Sequence, residues 1–244
     1  MLSLEDWGIA PGLAFCDSRP EYFLIPDAIF IASQGYGHTR RAYASDDVPW
    51  AARTSAIFWR GHDFGPDGCV WHDLPRVRLC RIAAERAHRH LFDVGLSPLR
   101  GRFTYHETEA SSLVREIVPV RHLNRYRYHI DIDGRSNSWP GLFQKLMSGS
   151  PILKVTSPGG YRQWYYDRLN PWQHFVPVAM DMSDLVEKAE WLQSHDREAR
   201  AIGAAGQALA QSMTIDAELR GSVDTVAAAI AAHEMYPRNS CKGS

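Results

Sequence analysis

Two short stretches of this chain hold side chains that could bind a phosphorylated ligand. The first is Asp133-Gly134-Arg135-Ser136-Asn137-Ser138-Trp139. Gly134 permits a tight turn, Ser136, Asn137 and Ser138 offer hydroxyl and amide donors, and Trp139 offers a flat face for a base or sugar ring. A helix starting just beyond them would aim its free N–H groups at an anion. The second is Val155-Thr156-Ser157-Pro158-Gly159-Gly160-Tyr161-Arg162, glycine-rich and ending in a guanidinium. Diphosphate binding suits both stretches, and so does an ordinary turn, because Gly, Ser and Pro clusters mark turns in most chains. A third cluster is Arg60-Gly61, with Arg76 and Arg78 opening a helix. Alternate residues on one helical turn face different ways, so only one of this second pair would reach a shared ligand. A solvated helix face with a salt bridge is the plainer reading.

Asp131-Ile132-Asp133 has the Asp-x-Asp form with which some enzymes hold a metal bound to a diphosphate. Strand alternation puts both carboxylates on one side, and a structural strand end leading into a turn explains them without a metal. The 11 histidines are scattered and form no standard ligand set. Cys16, Cys69, Cys80 and Cys241 form no C-x-x-C pair, so neither a zinc site nor a disulfide framework is expected. No metal and no cofactor are predicted.

The elements that must position these residues alternate in type. Ala28–Ala32 and Ser55–Trp59 read as strands, and the second ends at Arg60-Gly61. Pro75 to His88 reads as a helix with proline in its first turn, followed by a short strand over His90–Val94. Tyr126–Ile132 is a strand stopped by Asp133-Gly134, and a helix is expected over Gly141–Ser148. Pro151–Thr156 is a continuous apolar run of the kind buried in parallel sheets. Tyr161–Leu169 reads as a helix, Trp172–Val178 as a strand and Ser183–His195 as a helix. Arg197–Met213 follows with Asp196 as its N-cap, and Asp216–His233 is the last helix. Alternating strands and helices predict an α/β fold, and the part after residue 120 reads as half of a doubly wound nucleotide-binding fold.

Bulk properties exclude little. In 244 residues, 45% hydrophobic and 23% charged, the net charge is −1, which gives no basic surface for nucleic acid. Lysine occurs only at Lys145, Lys154, Lys188 and Lys242, so the positive charge is mostly arginine. That follows from a GC-rich genome or from the suitability of guanidinium for phosphate. There is no signal-like N-terminus and no apolar run near the roughly 20 residues that span a bilayer. The expectation is a soluble, cytoplasmic protein.

An ordered series of motifs carries a resemblance. It runs from Ala56-Ile57-Phe58-Trp59-Arg60-Gly61 through Tyr126–Gly134, Ser138-Trp139 and Lys145-Leu146-Met147-Ser148-Gly149-Ser150. It continues through Pro151–Val155 and Asn170-Pro171-Trp172-Gln173-His174-Phe175-Val176-Pro177-Val178 to Asp181-Met182-Ser183-Asp184-Leu185. This series resembles glycosyltransferase family 90 (the CAP10/LpsA-like family) across most of residues 25 to 210. That family includes protein O-glucosyltransferases, O-xylosyltransferases, fungal capsule proteins and bacterial lipopolysaccharide core transferases.

The resemblance implies a GT-B fold with two Rossmann-like halves, and a metal-independent, inverting transfer from a UDP-sugar to a hydroxyl. It implies nucleotide-sugar contacts from Arg60, Gly61, Gly134, Arg135, Ser136, Asn137, Ser138 and Trp139, with Arg76 as the diphosphate-binding arginine. Asp6, followed by Trp7 and preceded by Leu2-Ser3-Leu4, matches the catalytic aspartate; a solvated residue near the terminus is the alternative. The animal-type arginine after Ser-Trp is replaced by Pro140-Gly141, so its contact passes to Arg135, Lys145 or Arg162, or is lost. His62-Asp63-Phe64-Gly65 stands where the family has a Ser/Thr-rich loop.

The expected layout is a shortened N-terminal acceptor-side region over 1–115, a Rossmann-like nucleotide-sugar-binding domain over 116–236, and a tail over 237–244. The expected function is transfer of a glucose- or xylose-type sugar in lipopolysaccharide or surface-glycan synthesis, at the inner face of the plasma membrane. Its partners would be a UDP-sugar and a glycan, glycolipid or protein hydroxyl acceptor, with no nucleic acid. A non-catalytic nucleotide-sugar-binding subunit, or a truncated relative, is the alternative.

Overall fold

A computed structural model describes residues 2–3, 12–99 and 107–235. Its framework is a five-stranded, all-parallel sheet. The strands are β4 (Thr54–Gly61), β5 (Phe92–Leu96), β6 (Tyr126–Asp131), β7 (Ile152–Val155) and β8 (Val176–Val178), in the spatial order β5-β4-β6-β7-β8. A smaller parallel sheet, ordered β1-β2-β3, holds β1 (Leu2–Ser3), β2 (Gly12–Ala14) and β3 (Tyr22–Leu24).

Strand alternation sorts the core onto two faces. Ile57, Trp59, Tyr128, Ile130, Leu153 and Val155 point to one face, where they pack with Val77 and Leu79 of α3 (Pro75–Ala84) and Leu185, Ala189 and Leu192 of α6 (Leu185–Ser194). Phe58 and Ile152 point to the other. There they meet Leu142, Phe143 and Leu146 of α5 (Pro140–Met147) and Ala210 of α7 (Asp196–Ser212). Burial on both faces puts even the polar residues of β6, His129 and Asp131, in the interior. Gly203 lets α7 lie against the turn after α5: a Cβ there would sit 2.5 Å from the Gly149 carbonyl oxygen. Arg40, on α2 (Gly37–Ser45), closes the far end of α7 by donating to the carbonyls of Ala210 and Met213 at 2.9 and 2.8 Å. Beyond it, α8 (Ile215–Met235) packs on β2 and β3, and α4 (Glu107–Leu113) follows β5 in sequence and packs on α3.

Several sequence expectations are corrected. Ala28–Ala32 is a short helix, α1, and not a strand. Asp27 caps it: one carboxylate oxygen accepts the N–H groups of Ile29 and Phe30 at 2.9 Å, and the other takes the Tyr36 hydroxyl at 2.9 Å. A satisfied cap outweighs the strand preference of two isoleucines and a phenylalanine. Tyr161–Leu169 holds only a single 3-10 turn at Tyr166–Arg168, because Arg162 exchanges backbone hydrogen bonds with Asp17 in the loop after β2. The β7-to-β8 crossover therefore contains no α-helix. The strand expected from Trp172 begins at Val176, since Pro171–Phe175 is a turn closed by the Trp172 N–H on the Phe175 carbonyl. Asp196 is the first residue of α7, with His195 before it as the cap residue, and its carboxylate accepts the Trp50 indole N–H at 2.7 Å. Helix α3 ends at Ala84, short of His88. Finally, a boundary at 115/116 would cut the large sheet, because β4 pairs with β6 from Thr54↔Tyr126 to Phe58↔His129.

Candidate nucleotide-sugar site

The strand order locates the site. The chain runs from β4 to its neighbour β5 on one side, then crosses back to place β6 on the other side of β4. In open parallel sheets the crevice at such a reversal, beyond the carboxyl ends of the strands, is where ligands bind. Here it lies between the ends of β4 and β6, a cleft of about 250 Å³ lined by Arg60, Gly61, His62, Arg76, Ser138 and Gly141, among others. A second cleft, of about 360 Å³, opens between the ends of β6 and β7, with Asp133, Gly134, Arg135, Ser136, Thr156 and Tyr161 in its lining. The two polar loops singled out in the sequence thus face one another across the second cleft.

Arg76 ties the loops together. It stands in the first turn of α3, behind Pro75, and donates from Nε to the Asp133 carbonyl at 2.9 Å. Its other nitrogens donate to the His62 carbonyl at 3.1 Å and the Ile132 carbonyl at 3.3 Å. The loops after β4 and β6 therefore share one guanidinium, which uses three of its five N–H donors. Burial lowers the Arg76 pKa, with Asp131 and Asp133 acting against that shift; a guanidinium keeps its charge under such pressure. Gly134 makes the approach possible, for a Cβ there would lie 3.0 Å from an Arg76 terminal nitrogen.

The loop after β6 is held in an unusual path. Asn137 accepts the Trp139 N–H on its side-chain oxygen at 2.7 Å. Trp139 takes φ +50°, ψ −125°, a conformation that costs a non-glycine residue roughly 1–3 kcal/mol, and Pro140 then opens α5. The amino end of α5 faces the first cleft through Gly141 and Gln144. Ser136 and Asn137 are each 2% exposed, and the Ser136 hydroxyl, the Ser138 hydroxyl and the Asn137 side-chain nitrogen make no hydrogen bond.

Below the loop lies a buried charge cluster. Asp131 is fully buried and accepts from Lys145 at 2.8 Å and Lys154 at 3.3 Å. Burial would raise its pKa, yet the two ammonium groups hold it well below the usual carboxylate range. Asp133 projects from the same side of the strand line and is 6% exposed, with neither carboxylate oxygen hydrogen-bonded. Burial pushes its pKa up to about 6, opposed by Lys154 and the Ser157 hydroxyl and reinforced by Asp131. His129, one step back on β6, is fully buried, and burial followed by the charges of Lys145 and Arg53 pushes it down to about 3, so it stays neutral.

The expected residues thus divide. Arg76, Gly134, Ser136, Asn137, Ser138 and Gly61 meet at the strand ends. Trp139 is half-buried at the start of α5. Arg60 lines the first cleft, but its guanidinium is bonded to the carboxylate and carbonyl of Asp93 and to the Glu116 carbonyl. Lys145 is given over to Asp131. Arg135 reaches Asp67 at 3.0 Å on an exposed rim of the second cleft, and Arg162 pairs with Asp167 at 3.3 Å. Asp6 lies outside the described residues. Sequence reasoning missed Lys154 as a partner of Asp131, and it took Asp133 for a turn residue alone. The Asp-x-Asp alternation was the available signal that both carboxylates enter one environment.

The family model for Glycosyl transferase family 90 matches residues 38–217. Human protein O-glucosyltransferase 3 is 30% identical over 165 residues, covering 67% of this chain and 29% of that protein. Zebrafish (Danio rerio) protein O-glucosyltransferase 2 is 31% identical over 163 residues, covering 67% of this chain and 30% of that protein. The chain therefore spans about 30% of the length of these relatives. Among solved structures, HepE from Anabaena in complex with UDP superposes with a TM-score of 0.44 at 10% identity, over 79% of this chain and 53% of that one. The family match runs through all five strands of the large sheet and every loop that lines the two clefts, and the chain belongs to glycosyltransferase family 90.

Proposed function

We propose that the chain is a metal-independent, inverting glycosyltransferase that moves a glucose- or xylose-type sugar from a UDP-sugar to a hydroxyl acceptor. The observation that carries this is the Arg76 clamp, which sets a cation at the strand reversal beside the amino end of α5. In such a transfer the departing nucleoside diphosphate gains negative charge. A fixed guanidinium and helix N–H groups stabilise that charge without reorganising at the moment of reaction. The acceptor hydroxyl must lose its proton as its oxygen attacks the anomeric carbon, and a carboxylate in reach serves as base. By resemblance that group is Asp6. The glucose-type donor is supported by the names of the relatives, which are protein O-glucosyltransferases. An acceptor in lipopolysaccharide or another surface glycan, met at the inner face of the plasma membrane, is the finer part of the proposal.

The test is UDP release from UDP-glucose and UDP-xylose, with lipopolysaccharide-core and simple glycoside acceptors, in buffer containing a chelator. Acceptor-dependent release giving a product of inverted anomeric configuration is expected, and retained configuration or an absolute metal requirement would contradict the proposal. A second reading, a nucleotide-sugar-binding subunit without turnover, is favoured by the internal commitment of Arg60 and Lys145. It predicts UDP binding that survives Asp6→Asn, with no transfer by either form.

A further inference from the structure

At the amino end of the large sheet, opposite the two clefts, a groove of about 490 Å³ lies between the turn before β8 and helices α6 and α7. Trp172, Gln173, Trp191, Glu198, Ala201 and Ile202 line it. Trp172 is 49% exposed and has φ +62°, a conformation natural to glycine and costly to a bulky side chain. The turn enforces it. The Trp172 N–H donates to the Phe175 carbonyl at 2.7 Å, and the Asn170 N–H donates to Nδ1 of the buried His174 at 3.0 Å. Gly206 lets α7 close on the same turn, since a Cβ there would lie 3.0 Å from the His174 carbonyl oxygen. Trp191 meets Trp172 edge to face, with centroids 5.2 Å apart at 81°, and His195 stacks on Trp191 at 4.7 Å. The backbone thus fixes a large indole half in water, next to a second one. The exposed Gln173 and Glu198 side chains have no hydrogen-bond partner among the described residues.

What the groove already holds sorts the ligand chemistries. A cation would compete with Lys188, whose ammonium lies 5.9 Å from the centre of the Trp172 ring while bonded to Asp184 and the Pro177 carbonyl. An anion would meet the Glu198 carboxylate. An apolar side chain would cover the indoles but cut Gln173 and Glu198 off from water without a partner. A pyranose ring avoids all three conflicts. Its C–H face is flat and apolar, and the hydroxyls round its edge can donate to a carboxylate and exchange hydrogen bonds with an amide. We infer that the groove is a second carbohydrate site, which holds a neutral sugar ring of a glycan against Trp172 with Glu198 and Gln173 on its hydroxyls. The groove is at the opposite end of the sheet from the clefts, so the inference does not rest on the donor reading. It gives the chain a hold on a glycan away from the point of transfer.

The experiment is saturation-transfer NMR titration of the full chain with cellotetraose and with maltotetraose, beside Trp172→Ala, Ala201→Leu and Arg76→Ala. Binding of at least one tetrasaccharide is expected, with saturation strongest on ring C–H protons and affinity lower by roughly tenfold in Trp172→Ala. Ala201 is exposed, so Ala201→Leu should fold normally and fill the groove with both indoles in place. The same loss there carries the test even if Trp172→Ala fails to fold. Arg76→Ala should bind the tetrasaccharide as the unaltered chain does. Unchanged affinity in Ala201→Leu would overturn the assignment, and so would binding lost in Arg76→Ala alone, which would put the glycan in the transfer clefts. No binding of either tetrasaccharide would overturn it as well, while UDP titration of the same proteins reads the donor site separately.

Discussion

Asp133 and Asp131 sit on one strand line and respond to pH in opposite directions. For Asp133 the folded-state pKa is raised from 3.8 to about 6. Between those values the folded chain keeps a proton that the unfolded chain has lost, so stability falls as pH rises through that window. At neutral pH the deficit is about 3 kcal/mol, at roughly 1.4 kcal/mol per pH unit. Asp133→Asn should therefore raise the melting temperature near neutral pH and leave it almost unchanged near pH 4, as scanning calorimetry at both would register. Asp131 is depressed, so its stabilisation is present above its unfolded pKa and lost as pH falls below it. Asp131→Asn strands two lysines in the interior and should cost about 3–5 kcal/mol near neutral pH, measured by urea denaturation. The polar loop from Asp133 to Trp139 was legible from its residue types as a turn beyond the strand, and it lies at the end of β6. The pairing of Asp131 with Lys145 and Lys154 was not, because those lysines lie on α5 and β7 and meet only when the sheet assembles.

At the scale of elements, legibility followed how local the determining contact is. Strands β4, β6 and β7 and helices α5 to α8 were readable because runs of apolar residues at strand or helix spacing set them. Helix α1 was misread because a single capping side chain decides it; Asp27→Ala should cost about 1–2 kcal/mol in thermal or urea unfolding. The stretch over 161–169 was misread because a distant partner decides it. Tyr165 packs edge-on to Phe143 and Trp164, and the Trp164 indole donates to Glu218 on α8 at 2.9 Å. These anchors fix the backbone residue by residue in a way helical spacing cannot express. The contact between α7 and the Gly149 turn has no slack, so Gly203→Ala should lower stability by about 1–3 kcal/mol through overpacking, read as a lower denaturation midpoint with an unchanged slope.

Across the whole molecule, the large sheet runs across the domain boundary expected at residue 115, since β4 pairs with β6. Nothing in the local pattern of Ser55–Trp59 says that it will pair with Tyr126–Asp131 rather than found a separate sheet. That choice belongs to the topology, and the same topology creates the reversal between β4 and β6 where Arg76 joins the two loops. The small sheet also joins the site. Asp17, just beyond β2, pairs its backbone with Arg162, and Cys16 lies beside the Ser136 hydroxyl. We propose that this reversal binds a uridine diphosphate through Arg76. Its most direct test is calorimetric titration of the whole chain with UDP in chelator-containing buffer, repeated with GDP and with a folded Arg76→Ala variant. One UDP site, weaker binding of GDP, and a loss of at least about tenfold in the variant are expected. Absence of UDP binding, or equal affinity in the variant, would contradict it.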